Sequence, residues 1–167
     1  MRSCRYQPGL TLIEAVLAMT ILPLAVLAIT LAVVAGQSQA VGAMRQTRAS
    51  LLAEALMEEI IALPYSDPQG DPQALGPEAG ETTRAQYDNV DDFCGKAVDA
   101  DAGGVVKAAT GTNYPTPFQR FARTVSCNNS SVTVTGLGGA LPGLTVTVTV
   151  TDGGDPVATL SRFVVEP

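Results

Sequence analysis

The chain has 167 residues, with 10 Lys+Arg against 16 Asp+Glu and a formal charge of −6. That length suits one domain of ordinary size, and the acidic balance argues against a basic phosphate-binding surface, so no nucleic-acid partner is expected. Histidine and tryptophan are absent, which removes His-based nucleophile activation, nearly all catalytic zinc sites and indole stacking platforms. No cofactor and no enzymatic activity are expected.

From Leu10 to Gly36 the sequence reads LTLIEAVLAMTILPLAVLAITLAVVAG, with Glu14 as its one charge and Pro23 as its one proline. A helix of that length spans about 40 Å, enough to cross a hydrocarbon layer of about 30 Å. A soluble core helix is rarely so apolar on every face. A cleaved export signal is the competing reading, with Ala35-Gly36 and Ser38-x-Ala40 imitating its small-residue site. Glu14 argues against an ordinary signal or anchor. A carboxylate inside hydrocarbon costs about 2.5–3.5 kcal/mol, and such groups usually have a partner. The approach to the run, MRSCRYQPG, is basic at Arg2 and Arg5 and ends in Pro8-Gly9.

Gly9-Leu10-Thr11-Leu12-Ile13-Glu14 resembles the processing motif of type IV prepilins and type II secretion pseudopilins. The resemblance implies a leader of residues 1–9, cut after Gly9 by prepilin peptidase, with Leu10 as the new, N-methylated terminus. Leucine there departs from the commoner Phe or Met, and Pro23 falls earlier than the kinking proline of many major pilins. Glu14 takes the family's assembly position, where it neutralises the α-amine of a neighbouring subunit. The implied partners are prepilin peptidase, other pilins or pseudopilins through the N-terminal helix, and the inner membrane before assembly. The implied location is a single pass with the N-terminus cytoplasmic and the C-terminal domain extracytoplasmic, then a pilus or pseudopilus. Charge does not set this orientation, because Arg2 and Arg5 before the span are matched by Arg45 and Arg48 after it.

Residues 10–36 are thus the transmembrane and filament-core helix, and residues 37–63 are its amphipathic second half. Ala49, Leu52, Leu56, Ile60 and Leu63 fall on one stripe, while Arg45, Arg48, Glu54 and Glu58 occupy other faces. Pro64 ends the run, because the residue before a proline is biased away from helix. The predicted helix from Leu10 to Leu63 is about 80 Å long.

Residues 64–117 are rich in Gly, Pro, Asp and Ala with little periodicity, and are predicted to be a long αβ loop. Leu75-Gly76-Pro77-Glu78-Ala79-Gly80-Glu81 and Tyr87-Asp88-Asn89-Val90-Asp91-Asp92-Phe93 resemble segments of minor pilins of the mannose-sensitive haemagglutinin D type. Asp88, Asp91 and Asp92 are candidate calcium ligands, because hard cations favour clustered carboxylates. Their spacing is not that of an EF-hand, and Asp-rich loops commonly serve as turns and helix caps.

Residues 118–167 are strand-like. Phe121, Arg123, Val125 and Cys127 alternate with Ala122, Thr124 and Ser126, and a Val-Thr segment follows at Ser131–Thr135. Gly136 to Gly143 is predicted to be a flexible link. Leu144 to Thr151 alternates Val inward with Thr outward, and Asp152-Gly153-Gly154-Asp155 signals a hairpin to a partner strand at Val157–Val165. The expected fold class is α+β and pilin-like: a long N-terminal helix packed on a small antiparallel sheet of three or four strands. Cys4 would leave with the leader. Cys94 and Cys127 remain as an even pair in an extracytoplasmic domain, forming a disulfide or staying as two buried thiols. The expected function is a structural subunit, a minor pilin or pseudopilin of a type IV pilus or type II secretion-type filament. The alternatives are an envelope-anchored adhesive or ligand-binding tip protein, and a tethered enzyme.

Overall fold

The coordinates are a computed structural model that describes residues 9, 11–68, 70, 75–99, 104–134, 136 and 139–167. One helix, α1 (Leu12–Ile61), precedes three single 3₁₀ turns at Arg84–Gln86, Asp91–Phe93 and Thr116–Phe118. Strands β1 (Phe121–Thr133), β2 (Ala140–Asp152) and β3 (Asp155–Val165) follow. The architecture is α+β, as expected. The chain divides into two compact units, Met1–Ala43 and Met44–Pro167.

In the first unit every residue from 12 to 43 is helical, and the large apolar side chains lie exposed, Leu12 at 85% and Leu27 at 56%. The helix runs through Pro23 without a break, although proline supplies no N–H for the carbonyl one turn back. Helix α1 is long and apolar enough near the N-terminus to cross a membrane.

The second unit has its core between residues 44–61 of the helix and the sheet. Ala49, Leu52, Ala53, Leu56, Met57 and Ile60 are buried, recurring every three or four residues along one stripe. They share a cluster with Phe121 and Val125 of β1 and with Leu144, Val146, Val148 and Val150 of β2. Alternate Thr residues of β2 are only half-buried, as period-two patterning requires. The helix ends at Ile61 rather than Leu63. Its last turn tightens, with the Leu63 N–H donating to the Ile60 carbonyl at 3.1 Å, before Pro64 redirects the chain.

The sheet is antiparallel, in the order β1-β2-β3. Two boundaries differ from expectation. β1 continues unbroken from Phe121 to Thr133, so the Val-Thr segment is not a separate strand. The link predicted at Gly136–Gly143 is strand from Ala140 onward, with Gly143 paired to Ser130 on one side and Val165 on the other. Glycine at 143 is demanded by close approach. A Cβ there would overlap the Val164 carbonyl oxygen and come within 2.8 Å of the Phe163 ring. The β2–β3 connection is a two-residue turn with both glycines at positive φ, 65° at Gly153 and 98° at Gly154, the conformation that tight hairpins select.

The described residues between α1 and β1 are packed more than their composition suggested. Val90, Phe93, Val98 and Val106 are buried in the core, and the Tyr87 and Phe93 rings meet edge to face at 4.9 Å. Lys96–Val98 runs along the outer edge of β1: the Val125 N–H donates to the Lys96 carbonyl at 2.8 Å, and the Val98 N–H to the Arg123 carbonyl at 3.1 Å. The inward alternation of β1 includes a charge. Arg123, 1% exposed, donates from Nη2 to Asp99 Oδ1 at 2.6 Å and from Nε to Asp99 Oδ2 at 3.0 Å. Its Nη2 also reaches the Lys107 carbonyl at 2.8 Å. This two-pronged geometry is what makes a buried guanidinium tolerable.

Asp152, at the end of β2, is 5% exposed and receives two arginines: Arg45 of α1 at 2.5 Å and Arg120 before β1 at 2.7 Å. Burial pushes its carboxyl up, but hydrogen bonds from Arg120 and Arg45 outweigh that and hold it below the ordinary value.

Two expectations follow, both readable by thermal unfolding of the full chain in detergent with tyrosine fluorescence. Gly143→Ala should destabilise the second unit by about 1–3 kcal/mol, because main-chain atoms cannot yield as side-chain tips do; an unchanged melting temperature would contradict the close approach. For Asp152 the folded value lies below the unfolded one, near 3.9. Its stabilisation is complete above about pH 4 to 5 and is lost as pH falls through the depressed folded value. Asp152→Asn should therefore flatten the acid limb of the stability profile, and an unaltered acid limb would refute the assignment.

Candidate functional site

Two places carry chemistry: the start of α1 and the acidic part of the αβ loop. At the helix start, Thr11 and Glu14 form a reciprocal cap. The Thr11 N–H and hydroxyl both donate to Glu14 Oε2 at 2.9 Å, and the Glu14 N–H reaches Thr11 Oγ1 at 3.4 Å. This is a capping box, Thr-x-x-Glu, and it sets the first helical residue at Leu12. The motif stands in the sequence at Thr11-Leu12-Ile13-Glu14, so this role for Glu14 was legible there but obscured by the run of apolar residues around it. Gly9 is exposed, while Leu10, the expected methylation site, lies outside the described residues, as does most of the expected leader.

Three hydroxyls along the first part of the helix turn back onto it. Thr20 donates to the Leu17 carbonyl at 2.9 Å, Thr30 to Val26 at 2.8 Å and Ser38 to Ala35 at 2.8 Å. Each hydroxyl is thereby satisfied within its own helix, as a hydrocarbon environment requires. Glu14 is the remaining charge on this exposed apolar surface, and both bonds it accepts from Thr11 fall on Oε2, not Oε1.

Cys94 and Cys127 are joined in a disulfide, with Cα atoms 5.2 Å apart and a sequence separation of 33. Of the two arrangements left open by the sequence, the linked one is present. It fastens the loop to β1 just beyond the turn at Asp91–Phe93. In the chain-entropy model, closing a loop of this length stabilises the fold by about 3–4 kcal/mol.

The Asp88, Asp91 and Asp92 trio does not gather around one point. The Asp88 and Asn89 N–H groups donate to Asp92 Oδ2 at 2.8 and 3.1 Å, while Asn89 Oδ1 caps the same turn through the Asp91 and Asp92 N–H groups. Asp92 groups instead with Glu78 and Glu81, and one oxygen from each of the three lies within 4.8 Å of the others. Spacing along the chain could not reveal this set, because Glu78 and Glu81 come from a separate turn brought in by folding. Burial pushes the Glu81 carboxyl up, the neighbouring Glu78 and Asp92 carboxyls add to that, and it reaches about 7. Asp91 is likewise raised, first by burial and then by Asp92 and Glu78.

A shallow pocket of about 280 Å³ is lined in part by Arg84, Val98, Asp99 and Lys107. Two of its charges are committed to the framework: Arg84 pairs with Glu59 and donates to the Lys107 carbonyl, and Asp99 holds Arg123. No protein-family model, curated protein or solved structure matches the chain.

Proposed function

We propose that the chain is a structural subunit, a minor pilin or pseudopilin of a type IV pilus or type II secretion-type filament, processed after Gly9 and assembled through its N-terminal helix. The observation that carries this reading is the isolated carboxylate of Glu14 at the capped start of an exposed apolar helix, directly after Gly9-Leu10. Cleavage after Gly9 creates an α-amine at Leu10, one helical turn from Glu14. In a packed filament the Glu14 carboxylate of one subunit meets the Leu10 amine of the next. Breaking such a buried pair costs about 3–5 kcal/mol, enough to hold register between sliding apolar helices. Before assembly the same helix resides in the membrane, and after assembly it forms the filament core. The disulfide-bonded soluble part is then outermost.

Intact-mass analysis of the membrane-extracted protein, from a host with an active prepilin peptidase, tests the processing step. The expected species lacks MRSCRYQPG and carries one methyl group at Leu10; retention of the leader would overturn the proposal. Glu14→Gln separates capping from charge, because glutamine still completes a capping box but cannot pair with an amine. That variant should insert and be processed as the wild type is, while its incorporation into filaments falls by about tenfold or more. Wild-type incorporation at equal expression would rule out the charge pair.

A further inference from the structure

In the αβ loop, Glu78, Glu81 and Asp92 each present an oxygen within 4.8 Å of the other two. Oxygens that share one calcium ion, each about 2.4 Å from it, lie at most about 4.8 Å apart, so the spacing suits a common cation. Among the described residues, none of the three is in an ion pair with lysine or arginine. Acidic residues also cluster on solvated surfaces, and proximity alone would decide nothing.

The deciding observation is a separate one, at Asp92. The residue is fully buried, at 0% exposure. Its Oδ2 is occupied by the Asp88 and Asn89 N–H groups, and its Oδ1 has no hydrogen-bond partner. A buried carboxylate oxygen left unpartnered is unfavourable. Its neighbours in the cluster are two more carboxyl groups, and the raised Glu81 carboxyl shows that the three resist being ionised together. The backbone around Asp92 is held by the Tyr87–Phe93 ring contact and by the Cys94–Cys127 disulfide. A positive ligand satisfies all three groups at once.

We propose that Glu78, Glu81 and Asp92 form a binding site for one divalent cation, with calcium as the preferred ion. Calcium accepts six to eight oxygens in irregular geometry, whereas magnesium demands a near-ideal octahedron. A site built from two loop turns, with Glu78 and Glu81 half-buried and open to water, fits the first description. The bound ion ties the Glu78–Glu81 turn to the segment carrying Cys94 and so orders the face of the loop. This inference concerns the second unit alone and does not depend on filament assembly.

The test is thermal unfolding of the full chain in mild detergent, read by tyrosine fluorescence after chelation and then across a calcium chloride titration. Extracellular calcium modules bind at about 0.1–1 mM. At tenfold that concentration the wild type should unfold about 3–6 °C higher, while sodium chloride of equal ionic strength leaves it unmoved. Glu81→Gln should fold at least as well as the wild type without calcium, since its amide oxygen can still accept from the Glu78 N–H while the acidic crowding is relieved, and should lose the calcium shift. Glu78→Gln serves as the second variant, with the same expectation. No saturable shift in the wild type up to about 10 mM, an equal shift with sodium chloride, or an undiminished shift in both variants overturns the site.

Discussion

A single helix has to satisfy two different surroundings, and most of the molecule follows from that constraint. From Ala15 to Gly36 helix α1 is apolar on every face, and the hydroxyls of Thr20, Thr30 and Ser38 are folded back onto its own carbonyls. From Ala49 onward one apolar stripe is buried against the valine face of β2, and charged residues occupy other faces. Because backbone hydrogen bonds are closed within the helix, the element needs no change of geometry where its surroundings change. Side-chain patterning alone marks the transition.

In the second unit the apolar contact is supplemented by a few charged clamps placed where the elements meet. Asp152 joins Arg45 of the helix to Arg120 before β1. Arg123 and Asp99 join the first strand to the loop beside it. Arg84 and Glu59 join that loop back to the helix. The disulfide and the backbone bonds from Lys96 and Val98 complete the attachment of the loop to β1. A segment rich in Gly, Pro and Asp is thus held by specific polar bonds together with the few apolar side chains, Val90, Phe93, Val98 and Val106, that it places in the core.

The polar groups in the loop differ in how they are satisfied. Asp99 is matched by a guanidinium and buried with it, whereas Asp92 is matched only on one side, by backbone N–H groups. Glu14, at the other end of the chain, is matched by its own helix terminus. These three carboxylates show three solutions to one problem: a counter-charge, a set of backbone dipoles, and a cap. The proposed roles attach to the two whose charge is not neutralised within the chain.

Much of this was legible from the residues in order. The long apolar run, the stripe from Ala49 to Ile60, the Val-Thr alternation of β2 and the Gly153-Gly154 hairpin are local patterns, and local patterns encode helix faces, strand faces and turns. The capping box at Thr11 and Glu14 is local too and was open to the same reading. Tertiary structure alone decided the rest. Only folding brings Asp99 to Arg123, makes Ala140–Gly143 a strand under the Phe163 ring, and replaces Asp88 and Asp91 with Glu78 and Glu81 beside Asp92. The physical reason is shared: these contacts join segments far apart in the chain, and their energies depend on burial and on partner geometry that no sequence spacing expresses.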